Sequence, residues 1–572
     1  LFLFSPERMA LSLDRIGQAL APAAEGRFDA PVRTRTRSRA ASRKDVETRV
    51  AAGGAAHSGS SDVRRTPDLS EEKRIAAQRI AHDLVERIGT LQALGLGYLA
   101  LDRPTPTLSP GELQRLRLAT QIRSNLFGVV YVLDEPSAGL HPADSEALYD
   151  ALDQLKGTGN TLFVVEHDLD LMHRADWLVD VGPGAGQHGG RVLYSGPPRG
   201  LRDIDVSMTR RYLFDTRGAA RRAPRTPTRW LELRGVHRNN LHGVDARFPI
   251  GAFTCVTGVS GSGKSSLVSQ ALVELVGDHL GHEPEVEEAE GDVPSFSAIV
   301  RTVGKLGDGA DAIRRLVNVD QKPIGRTPRS NLATYTGLFD HVRKLFASTK
   351  TAKARRYSAG RFSFNVAQGR CGTCEGEGFV SVELLFMPSV YAPCPTCHGS
   401  RYNAKTLEVE WNGRNIAQVL AMTVDEAQAF FEAEAVVKRP LALLHDIGLG
   451  YLRLGQPATE LSGGEAQRIK LATELQRSQR GDTLYVLDEP TTGLHPADVD
   501  KLMAQLHGLV EAGNTVVVIE HEMRVVADSD WVIDMGPGAG EEGGRIVAAG
   551  TPADVSHVEG SRTAPYLQRW TG

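Results

Sequence analysis

The chain has 572 residues, too many for a single hydrophobic core, since cores stop growing at roughly 250–300 residues, so three or four domains are expected. With 41% hydrophobic and 24% charged residues it has the composition of a folded globular protein, which excludes a disordered or fibrous chain. The net charge of -4 excludes a uniformly basic surface, yet it conceals basic clusters at Arg33–Lys44, Arg210–Arg229 and Arg343–Arg361 and an acidic run at Glu283–Asp292.

Residues 1–70 are rich in Arg, Ala, Ser and Gly without periodicity and read as a disordered basic segment. From there the chain contains one module twice, at an offset of 354, or 353 near its start. The first copy carries LSPGE at Leu108–Glu112, YVLDEP at Tyr131–Pro136, GLHPAD at Gly139–Asp144, GNTLFVVEH at Gly159–His167 and DWLVDVGPGAG at Asp176–Gly186. The second carries LSGGE at Leu461–Glu465, YVLDEP at Tyr485–Pro490, GLHPAD at Gly493–Asp498, GNTVVVIEH at Gly513–His521 and DWVIDMGPGAG at Asp530–Gly540. Leu116, Ala119 and Ile122, like Ile469, Ala472 and Leu475, recur at helix-face spacing. The short apolar runs Val129–Leu133, Leu162–Val165, Leu484–Leu487 and Val516–Ile519 read as buried parallel strands, each ending in an acid or a histidine. The fold class is therefore α/β, with two lobes.

Residues 71–200 form the C-terminal part of the first lobe, 201–228 a basic linker, 229–280 the start of the second lobe, and 446–572 its remainder. Residues 281–445 make an insertion too long to be a loop.

Gly258-Val-Ser-Gly-Ser-Gly-Lys264-Ser265 follows the apolar run Phe253–Val256 and precedes a helix-compatible stretch, Ser266–Val276. That context is what the GxxxxGK[ST] phosphate loop needs. The backbone at Gly258, Ser260, Gly261, Ser262 and Gly263, with Ser266 beyond it, is expected to wrap the phosphates of ATP at a helix N-terminus. Lys264 is expected to reach the β and γ phosphates, and Ser265 and Asp488 to hold Mg²⁺. Glu489 is the candidate base that orients the attacking water, and His521 is placed to bond the γ-phosphate. Gln321 is a candidate sensor between metal and insertion.

Cys371, Cys374, Cys394 and Cys397 form two CxxC pairs with the spacing of a structural zinc site, while Cys255 reads as core. Phe379–Met387 between the pairs is a hairpin candidate. Lys350, Lys353, Arg355, Arg356 and Arg361, interleaved with Tyr357, Phe362 and Phe364, suit contact with DNA phosphates and bases; the alternative is that these aromatics pack a core. No run approaches the ~20 apolar residues of a membrane helix, and Leu1–Phe4 is too short for a signal peptide, so a cytoplasmic protein without a membrane partner is expected.

The nucleotide motifs resemble those of ABC ATPases, the P-loop fold in which the signature turn of one lobe covers the nucleotide of the other. By that resemblance Ser109, Gly111 and Glu112 are expected to cover the nucleotide at Lys264, with Pro110 altering the lid by removing an N–H. The first lobe retains Asp134, Glu135 and His167 but has no GxxxxGK before residue 258, so it reads as incomplete. Leu1 as the first residue fits an amino-terminally truncated chain, and turnover is expected to be weak or absent.

PIGRTPRSNLATYTG at Pro323–Gly337, GRFSFN at Gly360–Asn365, GRCGTCEGEG at Gly369–Gly378 and LSGGEAQRIKLATEL at Leu461–Leu475 resemble the UvrA family of nucleotide excision repair over essentially all of residues 75–570. That resemblance implies a homodimeric ATPase, not itself a nuclease, that binds duplex DNA and recognises damage through distortion. The region in which family members dock UvrB precedes residue 1, so UvrB is a possible partner whose docking segment is absent. LSPGELQRL also resembles shorter UvrA-like proteins that protect against DNA-intercalating drugs, which gives a second reading. A third is a non-catalytic DNA-binding assembly module.

Overall fold

The computed structural model describes residues 11–25, 70–105, 108, 110–123, 126–184, 189–214, 222–282, 301–320, 324–325, 327–384, 387–477 and 481–571. They divide into two compact units, residues 1–125 and 126–572.

In the first unit a helix at Leu13–Ala24 stands where disorder was expected. Its apolar residues Leu13, Ile16 and Leu20 recur at helical spacing and bury against Ile88 of the long helix Glu71–Ala93 and against Leu96 and Leu99. Residues 1–10 and 26–69, the rest of the expected disordered segment apart from residues 11, 12, 25 and 70, lie outside the described residues. The signature helix, Pro110–Arg123, completes this unit.

The second unit holds the rest of the first lobe and all of the second. The first lobe contributes β1 (Val130–Asp134) paired in parallel with β2 (Thr161–Val165), and β3 (Leu178–Gly182) antiparallel to β4 (Arg191–Gly196). Residues 201–214, expected to be linker, are structured: Leu201 and Leu213 bury against Met172, the latter from helix Met208–Phe214.

The second lobe begins with β5 (Trp230–Arg238), β6 (Leu241–Pro249), β7 (Phe253–Gly258), β8 (Val303–Leu306) and β9 (Arg315–Val319). The insertion adds β10 (Phe379–Leu384), β11 (Met387–Pro393) and the two-residue strands β12 (Glu410–Trp411) and β13 (Arg414–Asn415). The lobe closes with β14 (Thr483–Asp488), β15 (Thr515–Ile519), β16 (Trp531–Gly536) and β17 (Arg545–Gly550). The main sheet runs β17-β16-β7-β15-β14-β9, and a smaller one β6-β5-β8. Because β8 and β9 pair with lobe strands, the insertion starts after residue 320 rather than at 281.

The two faces of the main sheet bury separate cores. Leu267, Val268, Ala271 and Leu272 behind the phosphate loop cover one face. On the other, the insertion's Leu332, Phe346, Phe362 and Phe364 join a core that includes Phe253, Val516 and Val518. The insertion thus braces the sheet that carries the GxxxxGK[ST] loop.

The repeat keeps its register: Val130 faces Thr161 as Leu484 faces Thr515, and Leu178 faces Gly196 as Val532 faces Gly550. In the second lobe β7 lies between β15 and β16. No counterpart of β7 lies between β2 and β3 among the described residues. The consequence is a difference in burial, with Val165 55% exposed and its repeat partner Ile519 fully buried. Ile519→Ala should therefore cost about 2–5 kcal/mol, whereas Val165→Ala should stay within about 0.5 kcal/mol, as read from urea unfolding of each variant.

Candidate nucleotide site and metal centre

Four strands of one sheet bring the phosphate loop, the acids and the histidine together. β7 runs parallel to β15 and β16, and β15 to β14, so Gly258, Asp488 and the segment after Ile519 end at the same sheet edge. Ligands of open α/β sheets bind at such carboxyl ends. The loop itself is backbone-limited. Gly258 has φ 133°, and a Cβ there would lie 2.1 Å from the Met535 carbonyl oxygen. Beyond the loop the chain continues as a π-helical stretch, Ser266–Leu272, and then as an α-helix, Val273–His279.

Lys264 is buried, and its Nζ donates to the carbonyls of Gly258 and Val259, each at 2.9 Å. Burial lowers its pKa, and the acids Glu489, Asp144 and Asp488 oppose that shift. Ser265 is exposed at the loop's end, open to a ligand. Asp488 accepts a hydrogen bond from Ser269 Oγ at 2.9 Å, and burial, then the neighbouring Glu489, pushes its pKa up to about 6. Glu489 sits at φ 46°, a left-handed conformation that costs a non-glycine residue about 1–3 kcal/mol and that clusters at functional sites. Its pKa is raised by burial and held back by Lys264. His521 Nε2 stands 3.6 Å from Glu489 Oε1.

The GLHPAD segment of the first lobe forms one wall of this site. Gly139, at φ 69°, lies so close to Glu489 that an added Cβ would be 2.6 Å from Oε2. Asp144 Oδ2 accepts the backbone N–H of Ser260 in the phosphate loop at 2.7 Å. The converse contact exists too: a Cβ on Gly493 would fall 2.7 Å from Glu135 Oε2, and His167 Nε2 lies 3.8 Å from Glu135 Oε1. Glu135 shares the φ of 46°.

Among the other expected site residues, Gln321 and Ser109 lie outside the described residues. Gly111 and Glu112 belong to the other compact unit. There Glu112 accepts from Tyr98 and from Arg103, the latter at 3.2 Å.

Cys371, Cys374, Cys394 and Cys397 converge, their sulfurs all within 4.8 Å of one another. None is in a disulfide. Four thiols at that separation fit a tetrahedral metal with sulfur ligands, for which zinc–sulfur bonds are about 2.3 Å. Between the pairs, β10 and β11 form the expected hairpin, extended to Pro393. Cys255 is fully buried, as expected of a core residue.

No family model matches the chain. It is 52% identical to UvrABC system protein A of Streptomyces coelicolor over 502 residues, 87% of this chain and 48% of that protein. To UvrABC system protein A of Bacillus subtilis it is 50% identical over 504 residues, 87% of this chain and 51% of that one. The crystal structure of UvrA2 from Deinococcus radiodurans superposes with a TM-score of 0.86 at 61% identity, covering 98% of this chain and 63% of that one. The chain belongs to the UvrA family. It spans about half the length of the curated UvrA relatives it matches. The two α/β lobes are ABC-type ATPase lobes, as that membership entails.

In this UvrA-family chain the basic and aromatic segment separates into two parts. Phe362 and Phe364 are core residues, packed with Phe346, Phe339 and Tyr402, which removes them as base-stacking candidates. Arg361 stacks on Tyr357 at 4.5 Å, and Arg355 bonds Glu408 at 2.6 Å. Lys344, Lys350, Lys353 and Arg356 are exposed.

Sequence reasoning missed Glu166 and Glu520, one residue before each histidine. Glu520 is buried and accepts from Thr491 N and Oγ1 at 3.0 and 2.6 Å and from the His521 backbone N–H at 3.0 Å. Burial pushes its pKa up to about 7, against these donors. Glu166 likewise binds the backbone N–H of Ser137 and His167, at 2.8 and 2.9 Å. These acids tie the strand carrying the histidine to the turn after the acidic pair. Their repetition at the offset of 354 was the available signal.

Asp144 places a negative charge on the loop with the GxxxxGK[ST] pattern, so if that loop takes phosphate, Asp144→Asn, which keeps an acceptor for Ser260 while removing the repulsion, should tighten MgATP binding by about threefold or more. Equilibrium titration with ATP checks this; unchanged or weaker binding would count against it.

Proposed function

We propose that this chain binds and hydrolyses ATP at the loop Gly258–Ser265 and couples that cycle to recognition of distorted or damaged duplex DNA, as the UvrA family does in nucleotide excision repair. The observation that supports the reading is the convergence of Lys264, Asp488, Glu489 and His521 at the ends of neighbouring parallel strands. Backbone N–H groups of Gly261, Ser262 and Gly263 cradle phosphate, with Ser260 and Ser266 flanking them, and Lys264 turns from the Gly258 and Val259 carbonyls to the β and γ phosphates. Mg²⁺, when bound by Ser265 and Asp488, supplies charge neutralisation between the phosphates. Glu489 orients the attacking water, and His521 bonds the γ-phosphate. Ser109, Gly111, Glu112 and Gln321 are assigned to nucleotide binding and sensing on the sequence pattern alone.

The four cysteines would hold zinc as a closed structural site that organises the insertion. The exposed Lys344, Lys350, Lys353 and Arg356 suit phosphate contacts, and recognition by distortion accords with readout of duplex deformability. Pairing with a second copy, recruitment of UvrB and a cytoplasmic location are further proposals that rest on the family.

ATP turnover, with duplex binding at fixed salt to undamaged, adducted and intercalated DNA, tests the reading. Lys264→Ala should lose at least about a hundredfold in turnover and keep its zinc, whereas Cys374→Ser should lose the zinc and weaken DNA binding. Equal turnover with and without Lys264 would defeat the hydrolytic reading, and preference for intercalated over adducted duplex would favour drug protection.

A further inference from the structure

The two GLHPAD segments contain a histidine that the nucleotide chemistry leaves unassigned. His141 is the N-cap of helix Pro142–Gly157, and its Nδ1 accepts the Ala143 N–H at 3.1 Å. A nitrogen that accepts is unprotonated, so the ring proton of the neutral imidazole sits on Nε2. Nε2 faces Thr563 Oγ1 at 3.0 Å, and that hydroxyl donates to Asp534 Oδ1 at 2.6 Å. Asp534 Oδ2 accepts from Ser561 Oγ at 2.7 Å. Every donor in this chain therefore has one direction: imidazole N–H to hydroxyl, hydroxyl to carboxylate.

The relay crosses from the first lobe to the second, and it is built twice. His495 accepts the Ala497 N–H at 3.1 Å and faces Thr209 Oγ1 at 3.2 Å, which donates to Asp180 Oδ1 at 2.8 Å. Each relay histidine stands edge-on against the histidine that follows a strand of the other copy. The His141 and His521 ring centroids are 5.8 Å apart at 88°, and those of His495 and His167 are 6.1 Å apart at 88°. His141 and Thr563 are fully buried. Burial, reinforced by the facing His521, lowers the His141 pKa to about 3, which agrees with a neutral ring.

We propose that His141 is a positioning residue acting across the lobes: fixed by Thr563 and Asp534, its ring sets the orientation of His521 beside Glu489. The inference rests on the hydrolytic reading and deepens it. The second relay repeats the His495–Thr209 and Thr209–Asp180 contacts, but Asp180 Oδ2 has no hydrogen-bond partner among the described residues, and no GxxxxGK stands before it in this sequence.

Thr563→Val keeps the shape of the side chain and removes only the hydroxyl. It should lower kcat about tenfold or more while leaving the KM for ATP within about threefold, since sub-ångström misplacement of a reacting group is costly. Thr563→Ser should restore turnover, and Thr209→Val should leave it within about threefold. A Thr563→Val kcat close to that of the unsubstituted chain, an equal loss in Thr209→Val, or a change confined to KM would overturn the proposal. In histidine-labelled protein, Thr563→Val should also shift the ring ¹⁵N resonances of His521. If the unsubstituted chain turns over no ATP, the hydrolytic reading fails, and the relay is then decided by those resonances: unchanged shifts refute it.

Discussion

The carboxylate of Glu489 is confined by groups from both lobes, and the rest of the site is arranged around that confinement. Its backbone is held at φ 46°, its side chain lies 3.6 Å from His521 Nε2, and Gly139 of the other lobe comes within the reach of a single carbon atom. Lys264 opposes the rise in pKa that burial imposes on it. A carboxylate held this way cannot move far without disturbing the first lobe. Conversely, a shift of Gly139 changes the space available to that carboxylate. Coupling between the lobes thus runs through close contact at Gly139 as well as through the hydrogen bonds from Ser260 to Asp144 and between His141 and Thr563.

Duplication has produced two sets of these contacts with unequal use. Glu135 and Glu489 share a backbone conformation, and each faces a glycine of the other copy. Only the second set lies beside a phosphate loop among the described residues, with strands β14 and β15 almost wholly buried. In the first set exposed positions alternate with buried or partly buried ones. Retaining the first set is understandable if its value lies in the wall it builds, through Gly139, His141 and Asp144, for the site of the other lobe.

The strand ends, the phosphate loop and the paired cysteines were legible in the sequence because each is a local pattern with a single physical cause. Phe253–Val256 and Val516–Ile519 could be recognised as buried strands from their uninterrupted apolar character, and both pair in the main sheet. Phe362 and Phe364 were ambiguous because an aromatic beside lysines fits either a base or a core; three-dimensional packing decided for the core. Strands β8 and β9 were hidden because Val303–Leu306 is only four residues long and Asn318 interrupts the apolar run of Arg315–Val319. The Glu520 contacts and the crossing from Asp144 to Ser260 were also invisible. Apart from the Thr491 hydroxyl, their donors are backbone N–H groups, which leave no trace in residue identity.

The repeat supplies an internal control for the most direct test. Gly139 and Gly493 have φ of 69° and 70° and equivalent positions, so alanine at either carries the same backbone strain, yet only Gly139 faces the carboxylate beside Lys264. ATP turnover of Gly139→Ala should fall at least about tenfold, and turnover of Gly493→Ala should remain within about threefold of the unsubstituted chain. Equal turnover in the two variants would contradict a hydrolytic site walled by the first lobe.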